Sequence, residues 1–141
     1  MIITDFGLSK SLYDSTESIS SGAYGRCEYC DPNYLQEPLK YKWDEKSDIY
    51  SIGALFWELS SGVLPFKDFK NSPTKISNRL LKSQREHSVE GTPIDSQNIY
   101  AAAWDGNPYN RPDIYEIRDK LNQIRRKFEH VLLLFLNQNV K

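Results

Sequence analysis

The chain has 141 residues, a mass of 16.4 kDa and a formal charge of −1, a size that holds one domain at most. Hydrophobic residues make up 39% and aromatics 13%, enough for a packed core and too much for a disordered chain. Eighteen basic and nineteen acidic residues are interspersed, so there is no field to attract nucleic acid or an anionic membrane.

In chain order, Ile2, Ile3 and Thr4 read as the end of a strand, because β-branched residues favour that conformation. Residues 7–25 follow without periodicity. They carry Ser9, Ser11, Ser15, Thr16, Ser18, Ser20 and Ser21, the composition of a long functional or solvated loop. The spacing of Ile49, Ile52, Leu55, Phe56 and Leu59 predicts a helix from 47 or 48 to about 60, closed by Gly62 and Pro65. Tyr50 and Trp57 widen its apolar face, so this helix is expected to be buried nearly all round. Ser72 and Pro73 predict an N-cap and first helical residue, opening a helix to about 84. A charged loop is expected over 86–95 and a third helix over 96–104. A fourth begins at Pro112, with Ile114, Ile117, Leu121, Ile124 and Phe128 on one face. The apolar stretch 128–136 is expected to pack on the resulting bundle, with a partner protein as the alternative. The fold class is therefore mainly α.

Only Cys27 and Cys30 are present, spaced Cys-x-x-Cys. A redox pair sits at a helix start after a strand, and a zinc site needs four ligands. Neither setting is visible, so two ordinary loop cysteines are expected, with redox or intermolecular metal binding as alternatives. The longest apolar run, 131–136, is too short for a membrane span, which takes about 20 residues. Without a signal peptide, span or disulfide framework, the cytoplasm is the expected location.

Four motifs in order carry a resemblance. They are Asp5, Phe6 and Gly7 after the strand; Tyr29, Cys30, Asp31, Pro32 and Asn33; Ser47, Asp48, Ile49, Tyr50, Ser51, Ile52 and Gly53; and Asn107, Pro108, Tyr109, Asn110, Arg111 and Pro112. Together they resemble the C-terminal half of a eukaryotic protein kinase domain of the tyrosine-kinase-like serine/threonine type. The resemblance covers about residues 2–127, leaving 128–141 as a tail. It implies a helical C-lobe with a short N-terminal strand and a long activation segment. The implied activity is ATP-dependent phosphorylation of protein serine or threonine, with tyrosine as the other acceptor.

The resemblance also assigns roles. Asp5 would hold Mg²⁺ against the nucleotide phosphates, with Phe6 and Gly7 completing the ATP-side motif. Gly25, Arg26, Tyr29 and Pro32 would dock a protein substrate. Phosphorylation of the serine-rich loop would regulate it, although a solvated loop has the same composition. Asn33, Asp48, Trp104 and Arg111 would be structural, Asp48 also suiting a helix cap. No catalytic residue is assigned within the 141 residues. The Gly-rich loop, the ATP-binding lysine and the loop with the catalytic base are expected upstream, so the isolated chain is expected to be catalytically incomplete. The alternative is a non-catalytic kinase-like binding or decoy module.

Two departures stand out. Arg26 occupies a place where serine/threonine kinases usually have threonine. Asn33 occupies that of a glutamate that pairs with the arginine here numbered 111. Restoring that glutamate, Asn33→Glu, is accordingly expected to stabilise the chain, with Asp31 as the nearest substitute partner in its absence.

Overall fold

A computed structural model of the chain describes residues 26–138. The expected strand over 2–4, the 7–25 loop, and Asp5, Phe6, Gly7 and Gly25 lie outside the described residues. Five α-helices make up most of the rest: α1 (Pro32–Gln36), α2 (Glu45–Ser61), α3 (Pro73–Leu81), α4 (Ile94–Ala103) and α5 (Ile114–Gln138). No strand occurs among the described residues, and the part is mainly helical, in keeping with a kinase C-lobe.

The central helix α2 starts two to three residues earlier than predicted because of a capping box. The Asp44 carboxylate accepts from the Ser47 amide at 3.0 Å, and the Ser47 hydroxyl accepts from the Asp44 amide at 3.1 Å. Gly62 ends the helix in a left-handed conformation (φ 69°), and its amide donates to the Glu58 carbonyl at 2.8 Å. Asp44→Ala should lower stability by about 1 kcal/mol, read as a shift of the thermal midpoint. An unmoved midpoint would show that α2 is held by its packing alone.

One face of α2 joins Tyr50, Ala54 and Trp57 to Phe66, Ile76, Leu80, Tyr100 and Trp104 in the main core. The adjoining face sets Ile49 against Ile99, Ala103 and Ile117. The expectation of burial all round is corrected by a third stripe. Asp48, Leu55 and Leu59 recur at helical spacing and are exposed, Leu59 at 71%. The physical reason is coverage: α4 and the α3 side of the core occupy only part of the circumference, and no described element lies over this stripe.

The other helices depart from expectation at their ends. Helix α3 opens at Pro73 as predicted but stops at Leu81, because Ser83 turns into the left-handed region (φ 55°). Helix α4 begins right after Pro93. Helix α5 begins at Ile114, behind a second reciprocal pair: the Asp113 carboxylate accepts from the Glu116 amide, and the Glu116 carboxylate from the Asp113 amide, both at 2.8 Å. It then runs on to Gln138. The expected packing of the apolar tail on the bundle is not found for five of its residues. Phe128, Val131, Leu132, Leu133 and Leu134 are each about half or more exposed, because the helix continues past the bundle instead of folding back.

Candidate substrate-docking site

Residues 26–36 form a short shelf across α2 and beside α3. Arg26 leads into a 3₁₀ turn, Cys27–Tyr29, and Pro32 occupies the first position of α1, where its missing amide is no loss. The turn is fixed from both sides. The Tyr29 hydroxyl donates to the Glu58 carboxylate, and the Ser51 hydroxyl donates to the Tyr29 carbonyl at 2.9 Å. Burial, reinforced by the bond to Glu58, pushes the Tyr29 phenol up to about 12. It is therefore a neutral donor at physiological pH.

Arg26 and Glu28 form an ion pair of unequal partners. The Arg26 side chain is half exposed and Glu28 is buried; the Arg26 Nε donates to Glu28 at 2.6 Å. Burial pushes both neighbouring thiols up, Cys30 to about 11, so Cys27 and Cys30 are protonated at neutral pH and weak nucleophiles. Both are free, and Cys27 directs its sulfur toward the Pro73 carbonyl at 3.8 Å.

The far end of the shelf is anchored by a buried ion pair. The Asp31 and Arg111 side chains are fully enclosed, and Arg111 Nη1 donates to Asp31 Oδ2. The same guanidinium donates to the carbonyls of Lys46 at 2.8 Å, Asp105 at 2.8 Å and Gly106 at 3.3 Å. It also lies 5.0 Å from the centre of the Tyr50 ring. Lys46 completes a reciprocal link by donating to the Arg111 carbonyl at 2.5 Å. Burial would raise the Asp31 carboxyl, but the bonds from Arg111 and the Asn33 amide more than offset it and hold the group below its ordinary value.

Asn33 belongs to this network as a donor. Its backbone amide and its side-chain nitrogen both donate to Asp31 Oδ1 at 2.8 Å, and the latter also donates to the Gly106 carbonyl at 3.2 Å. A carboxylate at position 33 would meet two acceptors. The geometry argues for the opposite sign to the expected stabilisation by Asn33→Glu: Arg111 already has its counter-charge in Asp31, and the new glutamate would repel the Asp31 carboxylate.

Trp104 lies in the main core beside Trp57 and Phe66, with ring centres 6.1 Å away from each. Asp48 sits exposed in the first turn of α2 without a hydrogen bond among the described residues; the cap is Asp44. Partial desolvation against the surrounding helix and the nearby Asp44 charge raise its carboxyl. The structure thus brings Arg26, Tyr29, Pro32, Asn33 and Arg111 to one shelf and leaves Asp48 and Trp104 elsewhere. Sequence reading missed Glu28, Ser51, Glu58 and Lys46 as supports. The one hint was a lone glutamate, Glu58, within an otherwise apolar helical run.

Comparison with known proteins gives a consistent picture. A family model described as protein tyrosine and serine/threonine kinase matches residues 1–121. Receptor-interacting serine/threonine-protein kinase 2 of Bos taurus is 31% identical over 143 aligned positions, covering 94% of this chain and 26% of the relative. The tyrosine-protein kinase transforming protein Abl of Abelson murine leukemia virus is 32% identical, covering 82% of this chain and 15% of the relative. Tyrosine-protein kinase TXK of Mus musculus is 27% identical, with 86% and 22% covered. The chain spans about a quarter or less of the length of these relatives.

Proposed function

The chain belongs to the protein tyrosine and serine/threonine kinase family, and on that premise we propose that residues 26–36 are the protein-substrate docking shelf of a kinase domain directed at serine or threonine. The observation that carries the reading is the double fixation of the shelf, Tyr29 on Glu58 and Asp31 on Arg111. It holds a stretch of backbone and the exposed Arg26 in one position for a peptide to meet. Relatives of both serine/threonine and tyrosine type match, so acceptor preference rests on the run from Gly25 to Leu35. The kinase-like domain is proposed to cover 1–127 and the tail 128–141; α5 crosses that boundary without a break.

ATP and Mg²⁺ belong to the proposal through Asp5, Phe6 and Gly7. Among the described residues no three His, Cys, Asp or Glu side chains converge to hold a metal. Phosphoryl transfer depends on positioning and charge stabilisation by several groups at once. One aspartate does not supply that clamp, and the chain on its own is proposed to dock substrate without turning it over. A protein substrate and a cytosolic setting follow from the same reading. Among the described residues no helix is long and apolar enough to cross a membrane.

Two measurements test this. Calorimetric titration of the chain with ATP–Mg²⁺ should give no binding heat, and micromolar affinity would contradict catalytic incompleteness. Hydrogen exchange with serine-, threonine- and tyrosine-centred peptide pools should show protection concentrated at 26–36, stronger with the first two. Protection confined to other surfaces would count against the docking shelf.

A further inference from the structure

Along α5, Ile114, Ile117, Leu121, Ile124, Phe128 and Val131 follow one another at alternating intervals of three and four residues. That spacing lines a single seam of the kind that pairs helices in coiled coils. The seam opens half exposed at Ile114 and meets the bundle at Ile117, buried against Ile49, Ile99 and Ala103, and at Ile124, packed partly against the same cluster. It is open at Leu121, 41% exposed, and leaves the bundle after Ile124, with Phe128 and Val131 each 61% exposed. Most of this outer part lies beyond residue 121, where the family match ends.

The flanks of the seam identify what fits it. The positions on either side are Arg118, Lys120, Arg125 and Lys127, all cationic, followed by Leu132 and Leu134. Arg118, Arg125 and Lys127 do reach Asp119, Glu129 and Asp95, but these pairs are solvent-exposed and weak enough to exchange for new partners. A second copy of the chain would set cations against cations along both edges, whichever way the helices ran. An acidic partner meets no such penalty.

We propose that the outer seam of α5 docks an amphipathic helix of another protein whose apolar stripe is flanked by Glu or Asp. The mode is a helix laid along an exposed apolar stripe, with specificity set by the charged edges. It is independent of the docking shelf and of any catalytic role.

The test titrates the full 141-residue chain with two labelled three-heptad peptides, alike in their Ile and Leu seam and carrying Glu on both flanks in one and Lys in the other. Like charges keep each peptide from pairing with itself. By fluorescence anisotropy at low salt, the Glu peptide should bind at least about ten-fold tighter than the Lys peptide, and the difference should shrink as salt screens it. Val131→Asp, at an exposed position, should weaken the Glu peptide by about ten-fold or more while leaving the circular dichroism of the bundle unchanged. Changing Arg125→Glu together with Lys127→Glu should reverse the preference. The proposal is overturned by equal binding of the two peptides or by no binding of the Glu peptide. It is equally overturned by self-association that Val131→Asp abolishes, or by binding to phosphatidylserine vesicles with no response to either peptide.

Discussion

Replacing Asp31 by alanine should cost about 3–5 kcal/mol of folding stability, the range for removing one partner of a buried ion pair. The loss is large because of what stays behind. The Arg111 side chain is fully enclosed, and its remaining partners are the neutral carbonyls of Lys46, Asp105 and Gly106. These satisfy its donors without balancing its charge. Asn33 would lose the acceptor for both of its short bonds at the same time. Chemical denaturation should register the change as a lower midpoint. A midpoint within experimental error of the parent would mean that the guanidinium finds water or another carboxylate.

The same pair gives a pH dependence with a definite sign. In the folded chain the Asp31 carboxyl sits below its ordinary value, so the native state binds fewer protons than the unfolded state through the carboxylate range. The stabilisation is complete above about pH 5 and is lost as pH falls through that range. Asp31→Ala should flatten this acid limb. Asn33→Glu should destabilise by about 1–3 kcal/mol, since it removes two donors and leaves their buried acceptors facing a second carboxylate.

Gly53→Ala is the second large effect. A Cβ at Gly53 would stand 2.5 Å from the Trp104 amide nitrogen and 2.8 Å from the Ala103 carbonyl carbon. These are backbone atoms, and no rotamer change relieves them. Relief requires α4 and α2 to separate at their main contact, which also loosens Trp104 from Trp57 and Phe66. Overpacking of this kind costs about 1–3 kcal/mol, occasionally more. For a domain of this size that is a fall in Tm of several degrees. Gly62→Ala makes a control with a different cause. Gly62 has open space around it but a φ of 69°, so its cost is local backbone strain. If Gly53→Ala shifts Tm no more than Gly62→Ala does, α2 and α4 are not locked together as described.

What could be read from the sequence follows from which forces are local. The helices over 49–59, from Pro73, and through Ile99 and Ile117 were legible because apolar spacing and proline placement are local signals. Their ends were less so. The α2 start depends on Asp44 and Ser47 bonding to each other's backbone, and the α3 stop on one residue, Ser83, turning left-handed. The contribution of Asp31 was only half legible. The motif order suggested that Arg111 meets the 31–33 stretch, but which acidic or amide group carries the charge is decided by a contact 80 positions apart in sequence. Of the two surfaces open to the apolar tail, the bundle is not the one that covers Phe128, Val131, Leu132, Leu133 and Leu134, because apolar content does not say where a helix will run.

Residues 26–36 are pinned to the bundle by Asp31 and Arg111, and a double-mutant cycle measures that coupling directly. Asp31→Ala, Arg111→Ala and the double variant would be unfolded with denaturant under the same conditions. Each single change should be severely destabilising, and the double should lose little more than the worse single, leaving a coupling of about 2 kcal/mol or more. Losses that simply add would contradict it, because they would show that the two side chains act independently of each other.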